Sequence, residues 1–336
     1  MNPTFPAIYS TLCPDALATE VLPGYELASV TCRLYMVNVS DTYIIQSEGE
    51  TFFLRVYRKV HRTRSEVCFE LAMLNHLHHK GVAVARPVPR RDGGLVNEVE
   101  AQEGRRYAVL FTAARGKEPS YDGDPEGMAE RYGQAVARMH NALDDFGSEH
   151  ARFRIDLEHL IDGPVGRIEP LLAHRPEDWA YVQGFAARLR QRIVAAPGEA
   201  LEQGACHGDL QSLHAHIDEA GTMTFYDFDF CGFGYRAYEL AVFPWAARFD
   251  DQQAVWWPPY LKGYRAERPL SDLDVACVPL FVCARHLWHM GLHAEEAQGW
   301  GYGGMGDAYF DRRLKWLREL EQEYLPEDVT PDGTGE

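Results

Sequence analysis

Up to about residue 111 the apolar residues of this chain tend to alternate, whereas beyond about residue 116 they recur every three or four positions. A change of hydrophobic period of this kind demands a sheet-rich part followed by a helix-rich part, since the two periods cannot share one element. Residues 32–39, 42–46 and 51–57 are rich in β-branched and aromatic types, and Glu48-Gly49-Glu50 is a turn between the last two runs. An antiparallel hairpin or meander is predicted. Residues 65–78 then place Val67, Leu71, Leu74 and Leu77 on one helical face ending at Gly81, and a strand pair is predicted near 87–96 and 106–111. After the turn Ala114-Arg115-Gly116, three sets recur at helical spacing: Met128, Tyr132, Val136, Met139 and Leu143; Trp179, Val182, Phe185 and Leu189; and Phe310, Leu314, Leu317 and Tyr324. Short strand-like runs lie at 215–217 and 223–228. The plan is a two-lobe α+β protein with a sheet lobe at 1–113, a helical lobe at 114–325, and a Pro-, Gly- and acid-rich tail at 326–336.

Composition narrows the function classes. With 46% hydrophobic and 25% charged residues, disorder is excluded as the main state. No uninterrupted apolar run approaches the ~20 residues of a membrane helix, and residues 1–10 lack a basic region leading into an apolar stretch. A soluble, cytoplasmic protein without a membrane partner is expected. Seven scattered cysteines with no Cys-x-x-Cys pair indicate neither a disulfide framework nor a zinc ribbon. Thirty-three Lys and Arg against fifty Asp and Glu, a net charge of −17, argue against a nucleic-acid partner, which needs basic patches. A polar or cationic small substrate suits that balance better.

Reactive side chains are densest in Cys206-His207-Gly208-Asp209-Leu210-Gln211-Ser212-Leu213-His214-Ala215-His216 and in Phe225-Tyr226-Asp227-Phe228-Asp229. Asp209 follows a glycine, where the backbone can bend sharply, and the apolar residues around Asp227 suggest a strand delivering a carboxylate to a site. One carboxylate to take a proton from a hydroxyl and another to hold a divalent cation are the minimum for metal-assisted phosphoryl transfer.

From about Pro6 to Leu325 the chain resembles the aminoglycoside phosphotransferase and choline kinase family, which has the bilobal protein-kinase-like fold. The marks are Leu54-Arg55-Val56-Tyr57-Arg58, Phe69-Glu70-Leu71-Ala72, Tyr107-Ala108-Val109-Leu110-Phe111, His207-Gly208-Asp209, and Tyr226-Asp227-Phe228-Asp229 followed by Tyr238-Glu239-Leu240-Ala241. The resemblance implies transfer of the terminal phosphoryl group of ATP or GTP, with Mg2+, to a hydroxyl of a small molecule such as homoserine, choline, an amino sugar or an antibiotic. It implies Asp209 as the carboxylate that orients the acceptor hydroxyl, Asp227 as the metal ligand, and Arg55 as the base that pairs with the phosphates, with Glu70 its partner. It also implies that backbone groups of Phe111, Thr112 and Ala113 read the adenine, and that Ser40-Asp41-Thr42 lie in the turn over the phosphates. The residues support the Arg55–Glu70 pair independently. Arg55 shares a strand face with Phe53 and Tyr57, and Glu70 faces the apolar side of its helix. Glu66, one turn earlier, is a rival partner.

One departure concerns the metal. Five residues after Asp209 the family carries Asn as a second metal ligand, and this chain has His214. Imidazole is a poor ligand for magnesium and prefers transition metals. Three readings follow: His214 donates a hydrogen bond while Asp227 and Asp229 hold the ion; the enzyme prefers Mn2+; or the site is a silent nucleotide- or ligand-binding domain. His216 shares strand parity with His214, while His207 is expected to support the loop. Acceptor contacts are expected from Arg285, Trp288 and His289, spaced by three and four on one helix face, with Glu295 and Glu296 further on and a loop over 300–306. A Ser/Thr protein kinase of the same fold is a further rival.

Overall fold

A computed structural model describes residues 5–195 and 201–326 of the chain. In order, the elements are α1 (Pro14–Glu20), β1 (Thr31–Val37), β2 (Ser40–Ser47), β3 (Glu50–Tyr57), α2 (Arg64–His79), β4 (Asn97–Ala101), β5 (Gly104–Thr112) and α3 (Pro125–Ala142). Next come β6 (Arg154–Ile155), α4 (Gly163–Leu172), α5 (Pro176–Ala195), β7 (Gln203–Cys206), β8 (Ala215–Ile217), β9 (Met223–Phe225) and β10 (Gly232–Tyr235). Four helices follow: α6 (Arg236–Ala247), α7 (Gln253–Glu267), α8 (Asp272–Trp300) and α9 (Asp307–Tyr324). The tail expected over 326–336 lies outside the described residues apart from Pro326. The residues group into two compact units, one of Met1–Phe153, Asp209–Gly232 and Val255–Arg268, the other of Arg154–Gly208, Phe233–Ala254 and Pro269–Glu336.

The first unit is built on an antiparallel five-stranded sheet of order β1-β2-β3-β5-β4. Strict alternation in β2 and β3 sorts side chains between its two faces. Tyr43, Ile45, Leu54 and Val56, with Ala108 and Leu110 of β5, bury against Leu17, Val21, Leu22 and Tyr25 of the α1 segment. Phe53 and Arg55 consequently fall on the opposite face. Helix α2 starts at a capping box in which Thr63 and Glu66 satisfy each other's backbone N–H groups. Glu66 is thereby occupied at an exposed helix end.

The predicted strand over 87–96 is not formed. Pro87 and Pro89 offer no N–H to a ladder, and Arg90 closes a turn onto Gly94. The strand paired with β5 is instead β4, whose register runs from Asn97 opposite Ala108 to Ala101 opposite Gly104. Helices α3 and α7 cross very closely: a Cβ on Gly133 would lie 2.0 Å from the Tyr260 carbonyl oxygen, and one on Gly263 2.0 Å from that of Glu130. Lys262–Glu130 and Arg138–Glu267 ion pairs flank the crossing.

The second unit is helical, with a small sheet of order β6-β10-β7. Its centre is α8, which buries Phe281, Val282, Leu287 and Met290. By length and composition, Asp272–Ala297 would suffice to cross a bilayer, although charged residues interrupt its apolar sequence; two thirds of its apolar stretch is buried, as in a core helix. Gly291 allows it to approach α4, where an added Cβ would meet Pro164 at 2.5 Å. The α+β, kinase-like fold expected from the sequence is the one observed.

Candidate active site

Strand parity and helix periodicity bring Arg55 and Glu70 together. Arg55 Nη1 donates to Glu70 Oε1 at 3.2 Å, and Nη2 donates to Asp227 Oδ1 at 2.6 Å. The Tyr57 hydroxyl donates to the other Glu70 oxygen at 2.9 Å, so both carboxylate oxygens are held. Burial would lower the Arg55 pKa, but Asp227 and then Glu70 outweigh it and raise it well above the ordinary value. Burial pushes the Glu70 carboxyl up from its ordinary 4.5 to about 7, with Arg55 pulling the other way.

A carboxylic acid with a raised folded-state pKa favours folding fully below about 4.5, and that contribution is lost as pH rises through about 7. Pairing with Arg55, by contrast, needs the ionised form. Affinity for a phosphate-bearing ligand should therefore rise with pH through about 7, and Glu70→Gln should flatten that limb. Calorimetric titration with nucleotide between pH 6 and 8.5 checks this; an unchanged limb in the variant would assign it to another group.

Asp227 takes a left-handed backbone, φ 65° and ψ 55°, and a short 3-10 turn, Phe228–Phe230, follows it. Asp and Asn tolerate this region better than most residues. The turn aims Asp227 and Asp229 differently. The Asp227 side chain is 40% exposed and lines a cavity of about 210 Å³ with Arg55, Glu70, Phe111 and Thr112. Asp229 is buried; its carboxylate accepts from Arg62 Nε at 2.8 Å, and its carbonyl accepts from Arg62 and Arg152. Asp229, expected to share a metal with Asp227, is instead placed in the interior with its Oδ1 bonded to Arg62. Arg62 and Arg152 belong to no motif, and sequence reasoning missed them both.

The loop after β7 supplies the other carboxylate. Within the second unit, Glu239 accepts from the N–H groups of His207 and Gly208 at 2.6 and 2.8 Å, fixing the chain that continues into Asp209. In the first unit, the Gln211 side-chain amide donates to Asp209 Oδ1 at 2.9 Å, and Tyr132 holds the Gln211 carbonyl at 2.8 Å. His214 stands between the two predicted catalytic carboxylates: Nδ1 is 3.8 Å from Asp209 Oδ2, and Nε2 is 3.8 Å from Asp227 Oδ2. Nδ1 also lies 2.6 Å from the Asp209 carbonyl oxygen. His216 lines the cavity and contacts the Ala114 carbonyl at 3.2 Å. Among the described residues, no group of three or more His, Cys, Asp or Glu side chains is placed to hold a metal by itself.

Other predicted positions shift. Ser40 is the first residue of β2, opposite Tyr57, and is buried; the turn is at Asn38-Val39, and Thr42 with Tyr35 and Met36 of β1 lines the cavity. The N–H groups of Thr112 and Ala113, expected to read a nucleobase, donate to Arg86 and Thr51 carbonyls at 2.9 and 3.3 Å. Phe111 keeps its place at the wall, and Ala114 lines the cavity one residue further on. In the second unit, Arg285 and Trp288 are buried rather than presented. The Arg285 guanidinium lies over the rings of Trp245 and Trp288 and reaches the Tyr238 hydroxyl at 3.1 Å. His289 is half-buried, and burial followed by the charge of neighbouring groups holds its pKa well below the ordinary value.

A kinase-like sheet carrying an arginine–glutamate pair, with two carboxylates delivered by separate loops, defines the class of phosphotransferases. The chain belongs to the phosphotransferase enzyme family, whose model matches residues 37–273. An uncharacterized protein of Deinococcus radiodurans is 39% identical over 326 residues, covering 96% of this chain and 94% of that protein. A homoserine kinase of Xanthobacter autotrophicus is 26% identical over 287 residues, covering 81% and 83%. Among solved structures, amicoumacin kinase in complex with AMP-PNP, Ca2+ and amicoumacin superposes with a TM-score of 0.72 at 19% identity, covering 88% and 90%.

Proposed function

We propose that this protein transfers the terminal phosphoryl group of ATP or GTP to a hydroxyl of a small metabolite or natural product. One observation carries the reading: Asp209 and Asp227, from separate loops, flank one imidazole at 3.8 Å each, with Asp227 also held by Arg55 at the cavity wall. Asp209, held by Gln211, accepts the proton of the acceptor hydroxyl as its oxygen bonds to phosphorus and the bridging oxygen departs with the nucleoside diphosphate. Arg55 draws the phosphates toward the sheet, and Glu70 and Tyr57 keep it aimed. A divalent cation, when bound, neutralises charge on the phosphate oxygens, and Asp227 with His214 supplies oxygen and nitrogen donors suited to one. The small-molecule kinases among the relatives support a small acceptor, and seven free cysteines suit a reducing, cytoplasmic setting.

The test is incubation with γ-labelled ATP or GTP, Mg2+ or Mn2+, and a panel of amino alcohols, choline and amino sugars, with products identified by mass spectrometry. Nucleotide- and metal-dependent phosphorylation of one panel member is expected. Label on protein substrates instead would identify a protein kinase. A second reading, a silent nucleotide-binding domain, is favoured by His214 in the place of Asn; binding without transfer to any acceptor would select it.

A further inference from the structure

Resting on the phosphotransferase reading, we infer that His214 and Asp227 form a mixed nitrogen–oxygen clamp that makes the site select a first-row transition-metal dication over magnesium on the nucleotide. A carbonyl oxygen only accepts, so the 2.6 Å contact with the Asp209 carbonyl places a hydrogen on His214 Nδ1. In the neutral ring the lone pair then sits on Nε2, the atom turned toward Asp227 Oδ2. An imidazole whose Nδ1–H is held by a backbone carbonyl is a ring fixed in tautomer and orientation for ligation through Nε2.

Asp227 is divided in a matching way. Oδ1 accepts from Arg55 at 2.6 Å, and Oδ2 lies on the His214 side. Two donors bonded to one ion at about 2.1 Å each can be no more than about 4.2 Å apart. The 3.8 Å between Nε2 and Oδ2 falls within that span. Asp229 is buried, and its Oδ1 is bonded to Arg62. With no third protein ligand among the described residues, the remaining positions belong to phosphate oxygens and water, so the ion arrives with the nucleotide. Magnesium demands oxygen donors in near-octahedral array, whereas imidazole suits later first-row ions. An imidazole at this point therefore decides which ion the nucleotide carries into the site.

The test uses full-length protein containing 15N-labelled histidine, Mn2+ as the spin probe, and β,γ-methylene analogues of ATP and GTP, which carry no bridging nitrogen. Pulsed electron paramagnetic resonance should show a 15N coupling to Mn2+ in the ternary complex, and His214→Asn should abolish it. Calorimetry should find the Co2+ nucleotide bound at least about tenfold tighter than the Mg2+ nucleotide by the parent protein. In His214→Asn that ratio should collapse toward one, a change that loss of a structural hydrogen bond alone would not produce. Nucleotide binding with Mg2+ but without histidine coupling to Mn2+, or with an unchanged ion ratio in the variant, would overturn the clamp and leave the phosphotransferase reading standing. No nucleotide binding with any ion would overturn both.

Discussion

If Asp209 acts as proposed, Asp209→Ala is expected to lower kcat by about 10³-fold, the scale of a positioned general base together with its orienting role, while nucleotide affinity measured by calorimetry should stay within a few-fold. The split follows from where the side chain is held. Asp209 is bonded to Gln211 and faces His214, whereas Arg55, the group proposed to meet the phosphates, draws its support from Glu70 and Asp227. Removing the Asp209 carboxylate leaves that basic group intact. Asp209→Asn is the companion variant, because it keeps the shape and an acceptor for Gln211 while losing the base. Turnover equal to the parent in either variant would remove Asp209 from the chemistry.

Asp227→Asn has the opposite signature. Asparagine adopts the left-handed backbone of this position at least as readily as aspartate, so the turn at Phe228–Phe230 survives and the change is one of charge. If Asp227 ligates the cation as proposed, losing its charge costs about 3 kcal/mol, so the Kd of the metal–nucleotide complex should rise by about 100-fold. The melting temperature serves as the internal control: Arg55 keeps Glu70 at 3.2 Å, so the fold retains its buried pair. Unchanged affinity would show that the cation is held elsewhere.

Much of this site was legible in the sequence because it rests on short-range periodicity. The parity of Arg55 in β3 and the placement of Glu70 on the apolar side of α2 supported the pair that the family resemblance implies but left Glu66 open as a rival; the capping box explains why Glu66 is not the partner. What was illegible depends on contacts far along the chain. Nothing near Asp229 announces Arg62 or Arg152, yet these arginines separate its role from that of Asp227. Strand β4 carried a usable signal that was passed over: Glu98 and Glu100 alternate with Asn97, Val99 and Ala101, a period of two hidden by its polarity. Helix α7 was hidden by Pro258 and Pro259, which read as breakers but are accommodated within it. On α8, spacing correctly put Arg285 and Trp288 together, but spacing alone cannot tell a wall from an interior, and both are interior.

The paired glycines where α3 meets α7 carry a consequence for how this protein can diverge. Each backbone occupies the space a methyl group would need on the other, so alanine at Gly133 or Gly263 forces the helices apart along their shared length. The two positions can drift only if the crossing itself is rebuilt, with new flanking charges in place of Lys262, Glu130, Arg138 and Glu267. Tolerated substitutions in this unit are therefore expected to fall away from the crossing, which behaves as a fixed joint between the two helices.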